Sequence, residues 1–90
     1  MKLGIFKGFR KWQSKIEEIA KLGLPVNDFY AHLEKEAKEL SDGRNDDEMK
    51  DVINVIAMCY TVGKYKVSFE DCYNKLKLRE EKYESKRQKP

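Results

Sequence analysis

Two pairs of carboxylates, Glu36 with Glu39 and Glu48 with Asp51, recur at a spacing of i, i+3 inside otherwise apolar runs. On an α-helix that spacing puts side chains about 60° apart on one face. His32 falls between Glu36 and Glu39 on the same wheel. Phe29, Leu33 and Leu40 share their side, while Glu34, Lys35 and Lys38 supply the opposite one. Glu36 takes the i+7 place of the stripe that begins at Phe29. Glu48 stands four residues before Val52, inside the next stripe, with Asp51 at its edge. Carboxylates facing a packing surface cost several kcal/mol each unless they are compensated, or else they hold their protons. A cation compensates them, and oxygen donors of this kind suit a hard divalent ion. Mg2+ fits, with Mn2+ as a substitute. No cysteine or histidine cluster argues for zinc. Two structural readings stay open beside this one. Glu48 can serve as the N3 partner of a helix cap at Asn45, and Glu36 and Glu39 can pair with lysines of the first or fourth helix.

Four helices are predicted to position these groups. Ile5, Phe9, Trp12, Ile16, Ile19 and Ala20 form one stripe that ends near Gly23 and Pro25. A second helix starts around Asn27 or Asp28, either of which can cap it, and stops near Gly43. A third opens with Asn45-Asp46-Asp47-Glu48 and runs through Val52, Val55, Ile56 and Cys59 to about Val62, where Gly63 breaks it. The fourth begins at Ser68-Phe69-Glu70-Asp71, again a capping-box pattern, with Phe69, Cys72, Tyr73 and Leu76 as a short apolar face. Only Tyr65 to Val67 could compete as a strand, and it is too short to build on. The expectation is an all-α four-helix bundle over residues 1–83, followed by a basic, flexible tail over residues 84–90.

The bulk composition agrees with one domain. The chain has 90 residues, of which 39% are charged and 40% hydrophobic, a balance that suits amphipathic helices rather than disorder. A chain this short buries a limited fraction of its surface, so a partner chain is expected to complete the bundle. The net charge of +3 is too small to argue for nucleic acid, and neither a helix-turn-helix nor a zinc pattern supports it. The charges are unevenly placed: Asp28 to Asp51 is acidic and Lys75 to Pro90 basic. Met1 to Phe9 holds no continuous apolar segment and nothing approaches a membrane span. Cys59 and Cys72, without CxxC spacing, read as reduced thiols of a cytoplasmic protein.

The acidic pairs carry a resemblance. Glu36-x-x-Glu39, then Glu48-x-x-Asp51 leading into the apolar run Val52 to Tyr60, resembles the MazG-like all-α nucleotide pyrophosphohydrolases. Trp12-Gln13 resembles that family's first helix. The run His32-Leu33-Glu34-Lys35-Glu36-Ala37-Lys38-Glu39-Leu40 is very like the phage-type dATP/dGTP diphosphohydrolases, and Ser68 to Asp71 with Lys75 resembles the closing helix. The likeness covers roughly residues 9 to 83. Lys35 stands where the family often has a glutamate, the spacer from Leu40 to Asp47 is shorter than usual, and Arg79 replaces a typical asparagine.

The resemblance implies a Mg2+-dependent enzyme that splits a nucleoside triphosphate between its α- and β-phosphates. Glu36, Glu39, Glu48 and Asp51 would carry the metal, in a homodimer or homotetramer. On that reading Glu39 is the candidate proton acceptor for the attacking water. Lys75, Arg79 and Lys82 are candidate phosphate ligands. Trp12 is a candidate for stacking on the base, and His32 for touching the substrate. The contrasting expectations are a bundle that binds a nucleotide without turnover and a small helical interaction protein, phage-encoded in either case.

Overall fold

A computed structural model describes residues 4–87. The chain is all-helical: a short 3-10 turn at Gly4–Phe6 precedes α1 (Phe9–Ala20), α2 (Val26–Gly43), α3 (Asp46–Val62) and α4 (Phe69–Arg87). No strand occurs among the described residues, and Tyr65 to Val67 is connecting chain. No described helix is long and apolar enough to cross a membrane.

Helix starts follow local chemistry, with two departures from the pattern. Gly8, at φ 78°, is the N-cap of α1 and breaks the stripe there, so Ile5 lies in the 3-10 turn and is half exposed. The second helix begins at Val26, just before the expected caps. Pro25 is its N-cap without any side-chain hydrogen bond, and Asp28 instead sits in the first turn, where its charge complements the helix dipole. Of the two capping-box starts, the one at Ser68 forms in full and the one at Asn45 forms through the cap bond alone. Asn45 Oδ1 accepts from the Glu48 N–H at 2.9 Å. Ser68 and Asp71 bond reciprocally, the Ser68 N–H to Asp71 Oδ2 at 3.0 Å and the Asp71 N–H to Ser68 Oγ at 3.1 Å. Those bonds hold the Asp71 carboxyl below its ordinary pKa.

The central element is α3, packed against α2 and, less extensively, against α1. The core consists of Phe29, Val55 and Cys59, with Ile19, Tyr30, Leu33, Met58 and Val62 around them. Val55 is fully enclosed, and the Cys59 thiol donates to the Phe29 carbonyl at 3.4 Å. Burial pushes that thiol's pKa up, which makes it a packing group rather than a nucleophile.

The fourth helix does not complete a bundle. No residue of α4 is buried, and Phe69, Tyr73, Leu76, Leu78 and Tyr83 are all exposed. The expected four-helix bundle is therefore three packed helices with a projecting arm. The helix also continues through Glu84 to Arg87, part of the segment expected as a tail. The arm is anchored by tyrosines. Tyr60 Oη accepts from the Val67 N–H at 3.0 Å and donates to the Val67 carbonyl at 3.2 Å. Tyr65 and Tyr30 share a hydroxyl–hydroxyl bond of 2.7 Å that ties the linker to α2.

Candidate metal centre

The acidic site is made where α2 passes the first turn of α3. Asn45 caps α3, so Glu48 is held at N3, and the α2–α3 turn brings it against the C-terminal half of α2. That turn is tight because Arg44 adopts a left-handed conformation, φ 51°, and returns its N–H to the Leu40 carbonyl at 2.8 Å. Glu36, Glu39 and Glu48 each place one carboxylate oxygen within 4.8 Å of the others. Octahedral oxygen ligands on a small divalent ion stand about 3 to 4 Å apart, so slight closure of these side chains brings them into range of one cation.

Burial distinguishes this cluster from surface acids. Glu36 is 6% exposed, the only charged or polar residue in the interior among those described. Its Oε1 lies 3.2 Å from His32 Nε2, which donates to it in the Nε2–H tautomer. Its Oε2, and Oε2 of Glu48, are buried without a hydrogen-bond partner. Loss of hydration raises the Glu48 pKa, and the charges of Glu39, Asp51, Glu36 and Asp47 add to the shift. The lysines of α1 and α4 do not neutralise it; the one Lys–Glu pair among the described residues is Lys15 with Glu18, on the surface of α1. Thus the pairing of Glu36 and Glu39 with lysines does not occur. The capping role of Glu48 does, but it uses the backbone N–H and leaves the carboxylate for the cluster.

The other candidate residues are placed less uniformly. Asp51 is exposed and outside the converging trio, acting on it through charge. His32 is exposed yet reaches the cluster through Glu36. Trp12 lies half-buried between α1 and α3, where its indole N–H donates to Asn54 Oδ1 at 2.7 Å. Lys75, Arg79 and Lys82 stand on the exposed α4, which does not pack along α2 or α3. Within one chain the basic row is therefore not part of the acidic cluster. Asn54 was not legible as a site residue, although its i+3 position after Asp51 sets it next along that edge of α3.

Fold and site together define an all-helical protein with three converging carboxylates, one buried and two half-buried, that could hold a metal ion. Compared with protein-family models, curated proteins and solved structures, the chain matches none.

Proposed function

We propose that this chain is a Mg2+-dependent nucleoside triphosphate pyrophosphohydrolase, converting a (d)NTP to the (d)NMP and pyrophosphate. The observation that carries the metal reading is the pair of buried, unpartnered oxygens on Glu36 and Glu48 inside a three-carboxylate cluster. A site like this is unfavourable when empty and becomes favourable once a dication balances it. The reaction type rests on the resemblance of Glu36-x-x-Glu39 and Glu48-x-x-Asp51 to the MazG-like motifs.

Glu36 and Glu48 would hold the ion, with Glu39 beside them and Asp51 adding negative charge from the rim. The ion supplies neutralisation of triphosphate charge and polarisation of the phosphorus. Glu39, half-buried at the edge of the cluster, takes the proton of the attacking water. The water oxygen bonds to the α-phosphorus, the bridge to the β-phosphorus breaks, and pyrophosphate leaves with that electron pair. His32 holds Oε1 of the Glu36 carboxylate, which would leave its second oxygen for the ion. Trp12, already bonded to Asn54, has its ring edge committed to packing and can offer a base only its exposed face.

The decisive experiment is a panel of nucleoside triphosphates with Mg2+, reading pyrophosphate release by the wild type and by Glu39→Gln. Release by the wild type and its loss in the variant are expected. Retained Mg2+ binding with no release from any nucleotide would replace hydrolysis by nucleotide sequestration.

A further inference from the structure

Ile5, Phe6 and Phe9, at the start of the described chain, are 52%, 53% and 42% exposed. The aromatic members form a ladder. The Phe6 and Phe9 rings meet edge to face at 6.1 Å, and Phe9 lies 5.7 Å from Trp12, whose indole N–H is held by Asn54. The ladder thus runs outward from the contact of α1 with α3 and ends in an exposed apolar tip. Around that tip the charge has one sign. Lys7, Arg10, Lys11 and Lys15 are the only charged residues from Gly4 to Ile16. Lys15 is paired with Glu18, whereas Lys7, Arg10 and Lys11 form no ion pair among the described residues. Arg10 and Lys11 also stand in the first turn of α1, where the helix dipole disfavours cations and no acidic residue offsets them. The exposed apolar groups of α4 differ in this respect. Phe69, Tyr73 and Leu76 share their helix with five carboxylates between Glu70 and Glu84.

We propose that this tip docks the protein on an anionic lipid surface. Ile5, Phe6 and Phe9 enter the boundary between headgroups and acyl chains, and Lys7, Arg10 and Lys11 meet the lipid phosphates. Neither signal suffices alone. A few apolar side chains give marginal, reversible partition, and exposed cations are screened by salt. Together they make a two-part anchor. The packed ladder fixes the tip before it meets the lipid, so docking costs little side-chain freedom. Nucleic acid suits the tip less well, because Ile5 cannot stack on a base and three unpaired cations offer few phosphate contacts. The contact is with the surface of the membrane only, since no described helix is long and apolar enough to cross it. It also leaves the carboxylates out: Glu36, Glu39 and Glu48 converge where α2 meets α3. The proposal therefore rests on neither the metal centre nor the hydrolysis.

The test is co-sedimentation of the purified chain with vesicles of phosphatidylcholine and phosphatidylserine in equal parts, and with vesicles of phosphatidylcholine alone. EDTA is present throughout, so that no divalent ion bridges the carboxylates to phosphatidylserine. The wild type is expected on the mixed vesicles and not on the neutral ones, with binding that falls as salt rises. Ile5→Ser with Phe6→Ser, at exposed positions outside α1, should weaken binding at least tenfold with unchanged circular dichroism. Arg10→Gln with Lys11→Gln should do the same. Should the apolar double variant unfold, Phe6→Ser alone carries the same direction of change. Wild-type protein that sediments with neither vesicle overturns the proposal. Equal binding to both overturns it too, because the cations would then play no part. Binding that survives Ile5→Ser with Phe6→Ser removes the apolar tip from the contact and overturns it; if a DNA duplex then displaces the vesicles, nucleic acid is the partner instead.

Discussion

Glu36 of α2 and Glu48 of α3 meet across the helix interface with a carboxylate oxygen of each within 4.8 Å, and each keeps Oε2 buried without a partner. Two like charges in such a place oppose folding, so whatever binds them is coupled to stability. Mg2+ in excess of EDTA should therefore raise the melting temperature. At a concentration a hundred times its Kd the gain is about 2.7 kcal/mol. Glu36→Gln should remove the response to Mg2+ while leaving the fold in place. A melting temperature indifferent to Mg2+ and Mn2+, at constant ionic strength, would reject the metal centre.

The Glu48 carboxyl gives a second test, by pH. Its folded pKa lies above the ordinary 4.5, chiefly because burial strips its hydration. A carboxyl raised in this way stabilises the fold below 4.5 and loses that contribution as pH rises through its folded value. In EDTA, Glu48→Gln should thus melt higher than the wild type near neutrality. The difference should shrink towards about pH 4, where the wild-type group is protonated in both states. Because Glu18 and Asp71 are shifted downward by partners remote from this site, they cancel in the comparison. A constant difference across the range would mean that Glu48 is not the titrating group.

Much of this arrangement was legible in the sequence, for identifiable reasons. Glu36 and Glu48 could be found because each sits on an apolar period, and the stripe decides which way a helical side chain faces. Asn45 and Ser68 could be found because capping is local chemistry between residues three apart. The fate of α4 could not. Phe69, Cys72, Tyr73 and Leu76 read as a packing face, yet periodicity reports only that a face exists, not which surface covers it. The missed start at Val26 has a similar origin: Pro25 presets the backbone at φ −57°, so no side-chain cap is needed. Trp12 was ambiguous between core and substrate until its partner Asn54, 42 residues away, came into view.

Gly63 is required by space rather than by backbone conformation, since its φ of −79° suits any residue. A β-carbon there would stand 2.6 Å from Tyr65 Cε2, 2.9 Å from the Cys59 carbonyl and 3.0 Å from the Tyr30 hydroxyl. Gly63→Ala should therefore prise Tyr65 from Tyr30 and cost about 1 to 3 kcal/mol in denaturant unfolding, in the range of overpacked cores. Adding Tyr65→Ala relieves the closest of these contacts, so the double variant should lose less than the two single costs combined. Simple additivity would show that the tyrosine clasp is not what Gly63 accommodates.

The basic row of α4 gives the last prediction, which rests on the proposed function. In one chain Lys75, Arg79 and Lys82 lie away from the carboxylate cluster, because α4 projects from the body. If those cations grip the phosphates of a nucleotide bound at the carboxylates, Arg79→Ala with Lys82→Ala should lower kcat/KM at least tenfold, about 1.4 kcal/mol. A well-folded double variant that keeps its kinetics would assign the phosphates to other cations, with Lys11 and Lys15 of α1 the next to replace.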